Sequence, residues 1–162
     1  MKILVLIITL ILAAPAMAQN EYSKPVDERS YHLGVMGGFS EVVKYGVKEL
    51  ALSEVMSPDE MDDILPDALV VARRNGVEMW REPDLLVSDL FPADVAKGKH
   101  VLLIYTGDTL DKYLAIKNDK AKLVAAGEYA GEARKEIARR FGRLLSYSEP
   151  AIDDLIRRNA SK

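Results

Sequence analysis

Acidic and hydroxyl side chains come directly after the apolar segments of this sequence that have the character of β-strands. In an open parallel sheet, ligands bind beyond the carboxyl ends of the strands, where the connections to the helices open a crevice. Carboxylates that converge in such a crevice can hold a divalent cation such as Mg²⁺ or Ca²⁺, or they can divide into a general acid and a general base. The candidate side chains are those of Glu82, Asp84, Thr106 and Asp108, with Asp89 joining them from the loop 83–99.

The same acidic residues also have an ordinary structural explanation. Asp108, with Asp111 three residues later, has the pattern of a helix N-cap followed by an acid in the first turn. Glu82 and Asp84 flank Pro83, as residues of a simple turn would. The sequence leaves the ligand site and the capped turn as alternatives.

The chain contains two histidines, His32 and His100. His32 is the better catalytic candidate, because it lies beside a glycine-rich stretch and because histidine titrates near neutral pH. His100 begins the strand that ends before Asp108, so it should lie at the opposite end of that strand. The sequence has no HExxH or HxH spacing, which disfavours a zinc site built from histidines.

Two glycines, Gly37 and Gly38, precede Ser40, which we interpret as the N-cap of a short helix ending at Gly46. Backbone N–H groups in such a turn can bind an anion, so both glycines are ligand-binding candidates. A tight turn would require the same glycines without any ligand. The sequence lacks GxSxG, which favours the capping role of Ser40 over a nucleophilic one.

A group of basic residues lies on one predicted helix near the C-terminus. These side chains could bind a phosphate or an acidic partner, could contact a second copy of the chain, or could simply form a solvated helix face. The residues are Arg134, Lys135, Arg139, Arg140 and Arg143. Acidic residues predominate before residue 97 and basic residues after it, so we expect the two halves to neutralise each other.

The elements that must position these residues alternate between strands and helices. Periodicity predicts strands over 47–53, 77–82 and 100–106, and helices over 109–126, 132–147 and 149–158. Ser57-Pro58 and Glu60 predict the start of another helix, which Asn75-Gly76 ends and Pro66 should bend or split. The pattern predicts an α/β domain over 31–162, with three to four mainly parallel strands, helices packed on the sheet and a helical C-terminal end.

The first eighteen residues have the order of a secretory signal peptide. Lys2 precedes an apolar run over 3–14, and Ala16-Met17-Ala18 matches a small-x-small cleavage site. We therefore expect export to the periplasm or secretion, with cleavage before Gln19, a flexible arm over 19–30 and no later transmembrane segment. Nucleic acid is an unfavourable partner for an exported chain with a net charge of −3.

Three functions remain open at this level. The first is a module that binds a small ligand or a protein partner through the strand-end crevice and the loop 83–99. The second is a cation-assisted hydrolase in which Asp84, Asp89 and Asp108 act as ligands or acid–base groups and His32 assists. The third is assembly with another chain. Because no compact catalytic motif occurs, binding is favoured over catalysis.

Overall fold

The computed structural model describes residues 25–92 and 94–159. The predicted signal peptide and residues 19–24 of the predicted arm lie outside this range. Within it, the chain forms five helices and one three-stranded sheet. In chain order the elements are α1 (Glu28–Lys44), β1 (Leu50–Leu52), α2 (Pro58–Asn75), β2 (Glu78–Glu82), β3 (Val101–Tyr105), α3 (Thr109–Ala125), α4 (Gly131–Leu144) and α5 (Glu149–Asn159).

Strand β3 is the centre of the sheet, in the order β1-β3-β2, and it is antiparallel to both neighbours. All five of its residues are apolar or aromatic, and each is at most 5% exposed. Alternate side chains enter two separate cores, with Leu102 and Ile104 on one face and Val101, Leu103 and Tyr105 on the other. Helices cover both faces, which explains why the strand has no polar side.

The prediction of three to four mainly parallel strands is wrong. Strands β1 and β2 run in the same direction, but β3 lies between them and runs in the opposite direction. A parallel neighbour of β2 would require a crossover connection that usually contains a helix. The described part of the 83–99 connection contains no helix, so the chain returns into the sheet from the end at which β2 left it.

The two faces of the sheet carry different helices. Helices α1 and α2 cover one face, where their contribution includes Met36, Met61 and Ala68. The other face is covered by α3, α4 and α5, through residues such as Tyr113 and Phe141, and by leucines of the 83–99 connection. The connection is therefore part of the second core.

The sequence signals for α2 are confirmed. The Ser57 side chain accepts from the Glu60 N–H at 3.3 Å, and the Glu60 carboxylate accepts from the Ser57 N–H at 2.7 Å, which completes a capping box. Gly76 ends the helix with a φ of 71°, in the left-handed region that favours glycine. Pro66 lies inside α2 but does not split it, because the buried side chains on both sides of Pro66 hold one continuous helix against the sheet.

Helix α1 begins earlier than the sequence pattern predicts. Asp27 is its N-cap and accepts from the Ser30 N–H at 2.8 Å, so residues 28–30 of the predicted arm are helical. Ser40 is buried inside the helix and donates to the Met36 carbonyl oxygen at 2.7 Å instead of capping a new one. Tertiary packing of α1 on α2 extends the helix through its glycines, in spite of their low helix propensity.

Candidate functional site

The strand register separates the predicted acidic crevice into two groups. Glu82 pairs with Val101 at the start of β3, whereas Thr106 and Asp108 follow Tyr105 at its end. The four steps along β3 between these ends correspond to about 13 Å. Glu82 and Asp108, which the predicted parallel sheet would have placed close together, are therefore at opposite ends of the sheet.

Each group of acids has partners of its own. Glu82 is 3% exposed, and its carboxylate accepts from Lys117 Nζ at 3.0 Å and from the Asp84 N–H at 2.8 Å. The Asp84 carboxylate lies 3.3 Å from the same ammonium group. These contacts hold the start of the 83–99 connection against α3. They favour the structural explanation of Glu82 and Asp84 over a ligand site.

At the other end of β3, Thr106 and Asp108 are exposed. Asp108 occupies the N-cap position of α3, but its side chain makes no capping hydrogen bond and instead lies 3.1 Å from Lys112 Nζ. The hydrogen bond between the Lys112 ammonium group and the Asp108 carboxylate raises the pKa of Lys112. In the part of the chain that the structure describes, no group of three or more His, Asp or Glu side chains could hold a metal ion.

His32 lies on α1, far from the other predicted catalytic residues. Its Nδ1 is 2.7 Å from a carboxylate oxygen of Glu54, although the pair lacks hydrogen-bond geometry. Gly37 and Gly38 lie inside α1, where their N–H groups take part in helical hydrogen bonding and do not form an anion-binding turn. Asp89 lies on the opposite face of the sheet, because its partner Arg134 belongs to α4.

All five basic residues predicted to share one helix lie on α4 and form ion pairs with acids of the same chain. The pairs involving this helix are Arg139 with Glu132 and Asp153, Lys135 with Glu132, Arg140 with Asp119, Arg143 with Glu136 and Glu149, and Arg134 with Asp89. Most of these acids belong to the C-terminal half. Arg134 is the member of the group that reaches into the acidic half, where it contacts the 83–99 connection.

The 83–99 connection is an irregular segment that is mostly buried over residues 85–90. Leu85, Leu86 and Leu90 are at most 6% exposed. Side chains of the three C-terminal helices satisfy its polar groups, since an unpaired buried backbone group would cost free energy. Tyr113 Oη accepts from the Leu86 N–H at 2.9 Å, Lys120 Nζ donates to the Val87 oxygen at 2.8 Å, and Asn159 Nδ2 donates to the Asp89 and Leu90 oxygens at 3.2 and 3.0 Å.

An ion pair fixes the middle of the connection. The Asp89 side chain is 8% exposed, and Arg134 Nε donates to both of its carboxylate oxygens at 2.9 Å, while Nη2 contacts one of them. This bidentate contact raises the pKa of Arg134. Asp89, which was predicted to be catalytic, therefore pairs with the Arg134 guanidinium group. This pair holds the connection against α4.

A mainly apolar cavity of about 270 Å³ lies beside this connection. It is bounded by the end of β1, by the connection and by the turn between α4 and α5. Its lining residues are Phe39, Lys48, Leu52, Ser53, Val55, Leu85, Phe91, Val95, Val101, Leu145 and Tyr147. Val55 and Val95 are 38% and 40% exposed, so the cavity reaches the surface at these side chains.

Lys48 is the charged residue of this apolar lining. Its Nζ donates to the Leu145 carbonyl oxygen at 2.5 Å and lies 4.9 Å from the centre of the Tyr147 ring. Partial burial lowers the pKa of Lys48. Lys48 was not among the residues predicted from the sequence, although the alternation of 47–53 places it on the same strand face as Leu50 and Leu52.

Ser53 is the hydroxyl residue of the strand end that lines the cavity. Its Oγ accepts from the Leu102 N–H and donates to the Glu54 carbonyl oxygen, both at 2.8 Å. The hydroxyl is therefore committed to joining β1 to β3. Apart from the Tyr147 side chain, this cavity therefore offers a ligand apolar contact and the ammonium group of Lys48.

No known family model matches the sequence, and no curated protein or solved structure is significantly similar to the chain. None of the helices in the described residues combines the length and apolar character needed to cross a membrane. Inferences about function therefore rest on the geometry of the chain itself.

We expect Asp89→Asn to lower the free energy of unfolding by about 2 kcal/mol, because Arg134 then faces an amide in place of the buried carboxylate. Asp94→Asn is the matched control, since Asp94 is exposed on the same connection. The control should change stability by less than about 0.5 kcal/mol. Urea denaturation measures both variants, and equal effects would contradict a positioning role for Asp89.

Proposed function

We propose that this protein is a binding module that takes a small, mainly apolar ligand with an acidic group into the apolar cavity. The observation that carries the proposal is the composition of the lining, in which apolar side chains surround the single ammonium group of Lys48. Ligand sites commonly combine an apolar surface with a few polar groups that orient the ligand. This combination favours a molecule with an apolar body and one anionic end.

Burial and charge both support this choice of ligand. A ligand that covers Val55 and Val95 removes apolar surface from water, which contributes about 25 cal/mol for each Å². The Leu145 carbonyl takes one of the three N–H groups of Lys48, so donors remain for an anion. A ligand carboxylate would also offset the partial desolvation that lowers the Lys48 pKa.

The geometry favours binding over the cation-assisted hydrolase. Asp108 is separated from Asp84 and Asp89 by the length of β3, and His32 lies on the opposite face of the sheet from Asp89. Those four side chains therefore share no common point. The cavity volume of about 270 Å³ suits a small molecule better than the surface of a protein partner.

Octanoate is a suitable probe, and we expect it to cause saturable NMR shifts at the methyl groups of Leu52, Leu85 and Val101. Val55→Trp should weaken octanoate binding by at least about tenfold, or 1.4 kcal/mol, because the indole fills the cavity entrance. Val47→Trp is the control, since Val47 is 67% exposed and outside the lining. Unchanged affinity in Val55→Trp, or no saturable shift at these methyl groups, would contradict the proposal.

We also propose that the protein acts after export, in the periplasm or outside the cell. The support is the order of charge, apolar run and small-x-small site in residues 1–18. The proposed binding does not depend on this location.

Mass spectrometry of the protein from the periplasm of a Gram-negative host should give a chain that begins at Gln19. Ala18→Phe should block this cleavage, because the large side chain occupies the position next to the cut. Met17→Phe changes the neighbouring position, which has no such size requirement, and should be processed normally. Recovery of the unchanged protein from the cytoplasm with Met1 intact would refute export.

A further inference from the structure

A second cavity, which we call the polar cavity, lies on the other side of the 83–99 connection and has a volume of about 490 Å³. Phe91 contributes to both cavities. The remaining sides of the polar cavity come from Lys120 of α3, Tyr129 between α3 and α4, Arg134 of α4 and Asn159 of α5. The connection, the region 120–134 and the end of α5 therefore converge on one space.

The ring of Tyr129 lies beside the two cations of this cavity. Lys120 Nζ is 5.3 Å and the Arg134 guanidinium carbon is 5.9 Å from the ring centre. Such cation–π contacts keep both positive groups near the Tyr129 ring. The two cations therefore line the cavity beside this ring.

The hydrogen-bonding groups left over in the cavity are mainly donors. Lys120 uses one N–H on the Val87 carbonyl and is in ion-pair contact with no carboxylate of the described residues. Arg134 uses Nε and Nη2 on Asp89, which leaves Nη1 without a partner among the described residues. The Tyr129 hydroxyl likewise makes no hydrogen bond within the described part of the chain.

The acidic residues of the lining do not change this excess of free hydrogen-bond donors over acceptors. The Asp89 oxygens are occupied by Arg134, and Asp94 is exposed to solvent. Burial lowers the pKa of Lys120, and the nearby Asp84 opposes that change. An acceptor with negative charge would match the free donors, and Val87 and Phe91 offer apolar contact to the rest of a ligand.

We propose that the polar cavity is a second binding site, for a small organic acid whose carboxylate accepts hydrogen bonds from Lys120, Tyr129 and Arg134. The body of this acid packs against Val87 and Phe91. This site is separate from the apolar cavity and does not depend on the function proposed for it.

An NMR titration with benzoate tests the site, with benzyl alcohol as the uncharged match and inorganic phosphate as an anion without an apolar body. We expect benzoate to shift the backbone amides of Val87, Phe91 and Tyr129 saturably and to bind more tightly than either comparison compound. Lys120→Met should weaken benzoate binding at least about tenfold, because it removes one charge-assisted donor. Lys122→Met is the control on the same helix, since Lys122 is exposed and lies outside the cavity.

Three results would overturn the proposal: no saturable shift with benzoate, equal binding of benzyl alcohol, or full benzoate affinity in Lys120→Met. Tighter binding of phosphate than of benzoate would overturn the assignment to an organic acid. Val55→Trp, which fills the entrance of the apolar cavity, should leave the benzoate shifts at Tyr129 unchanged. That variant therefore separates a failure of this site from a failure of the apolar one.

Discussion

The burial of the irregular segment 85–90, within the 83–99 connection, is the constraint on which the rest of this structure depends. A segment without helix or strand leaves its backbone groups unpaired, and burying them without partners would cost several kcal/mol. Tyr113, Lys120 and Asn159 supply the missing partners, and Arg134 pairs with the carboxylate of Asp89. Side chains from three helices thus hold the connection in place of regular secondary structure.

The fold and both cavities follow from this arrangement. Because the connection remains at one end of the sheet, β3 enters antiparallel between β1 and β2 and is covered on both faces. The connection then separates an apolar cavity that contains Lys48 from a polar cavity that contains Lys120, with Phe91 shared between them. A fixed segment between two cavities favours ligand binding, since little ordering would be required when a ligand enters.

Local sequence signals predicted most of the helices and strands, whereas the start of α1 and the spatial relations of the elements were harder to predict. The apolar run of β3 and the capping box at Ser57 and Glu60 depend on neighbouring residues, so the sequence identifies them directly. The direction of β3 could also have been predicted, because a parallel crossover usually contains a helix and the 83–99 connection has no predicted one. The pairing of Asp89 with Arg134 was not accessible, because 45 residues separate the partners and only the folded chain brings them together.

Amide hydrogen exchange of the free protein tests most directly whether the connection is a fixed part of the core. The Leu86 N–H donates to Tyr113 Oη at 2.9 Å, and the Leu102 N–H in β3 donates to Ser53 Oγ at 2.8 Å, so the two amides are matched. We expect the Leu86 N–H to exchange at a rate within about tenfold of that of the Leu102 N–H and far more slowly than the N–H of the exposed Gly98. Exchange of Leu86 as fast as that of Gly98 would contradict it.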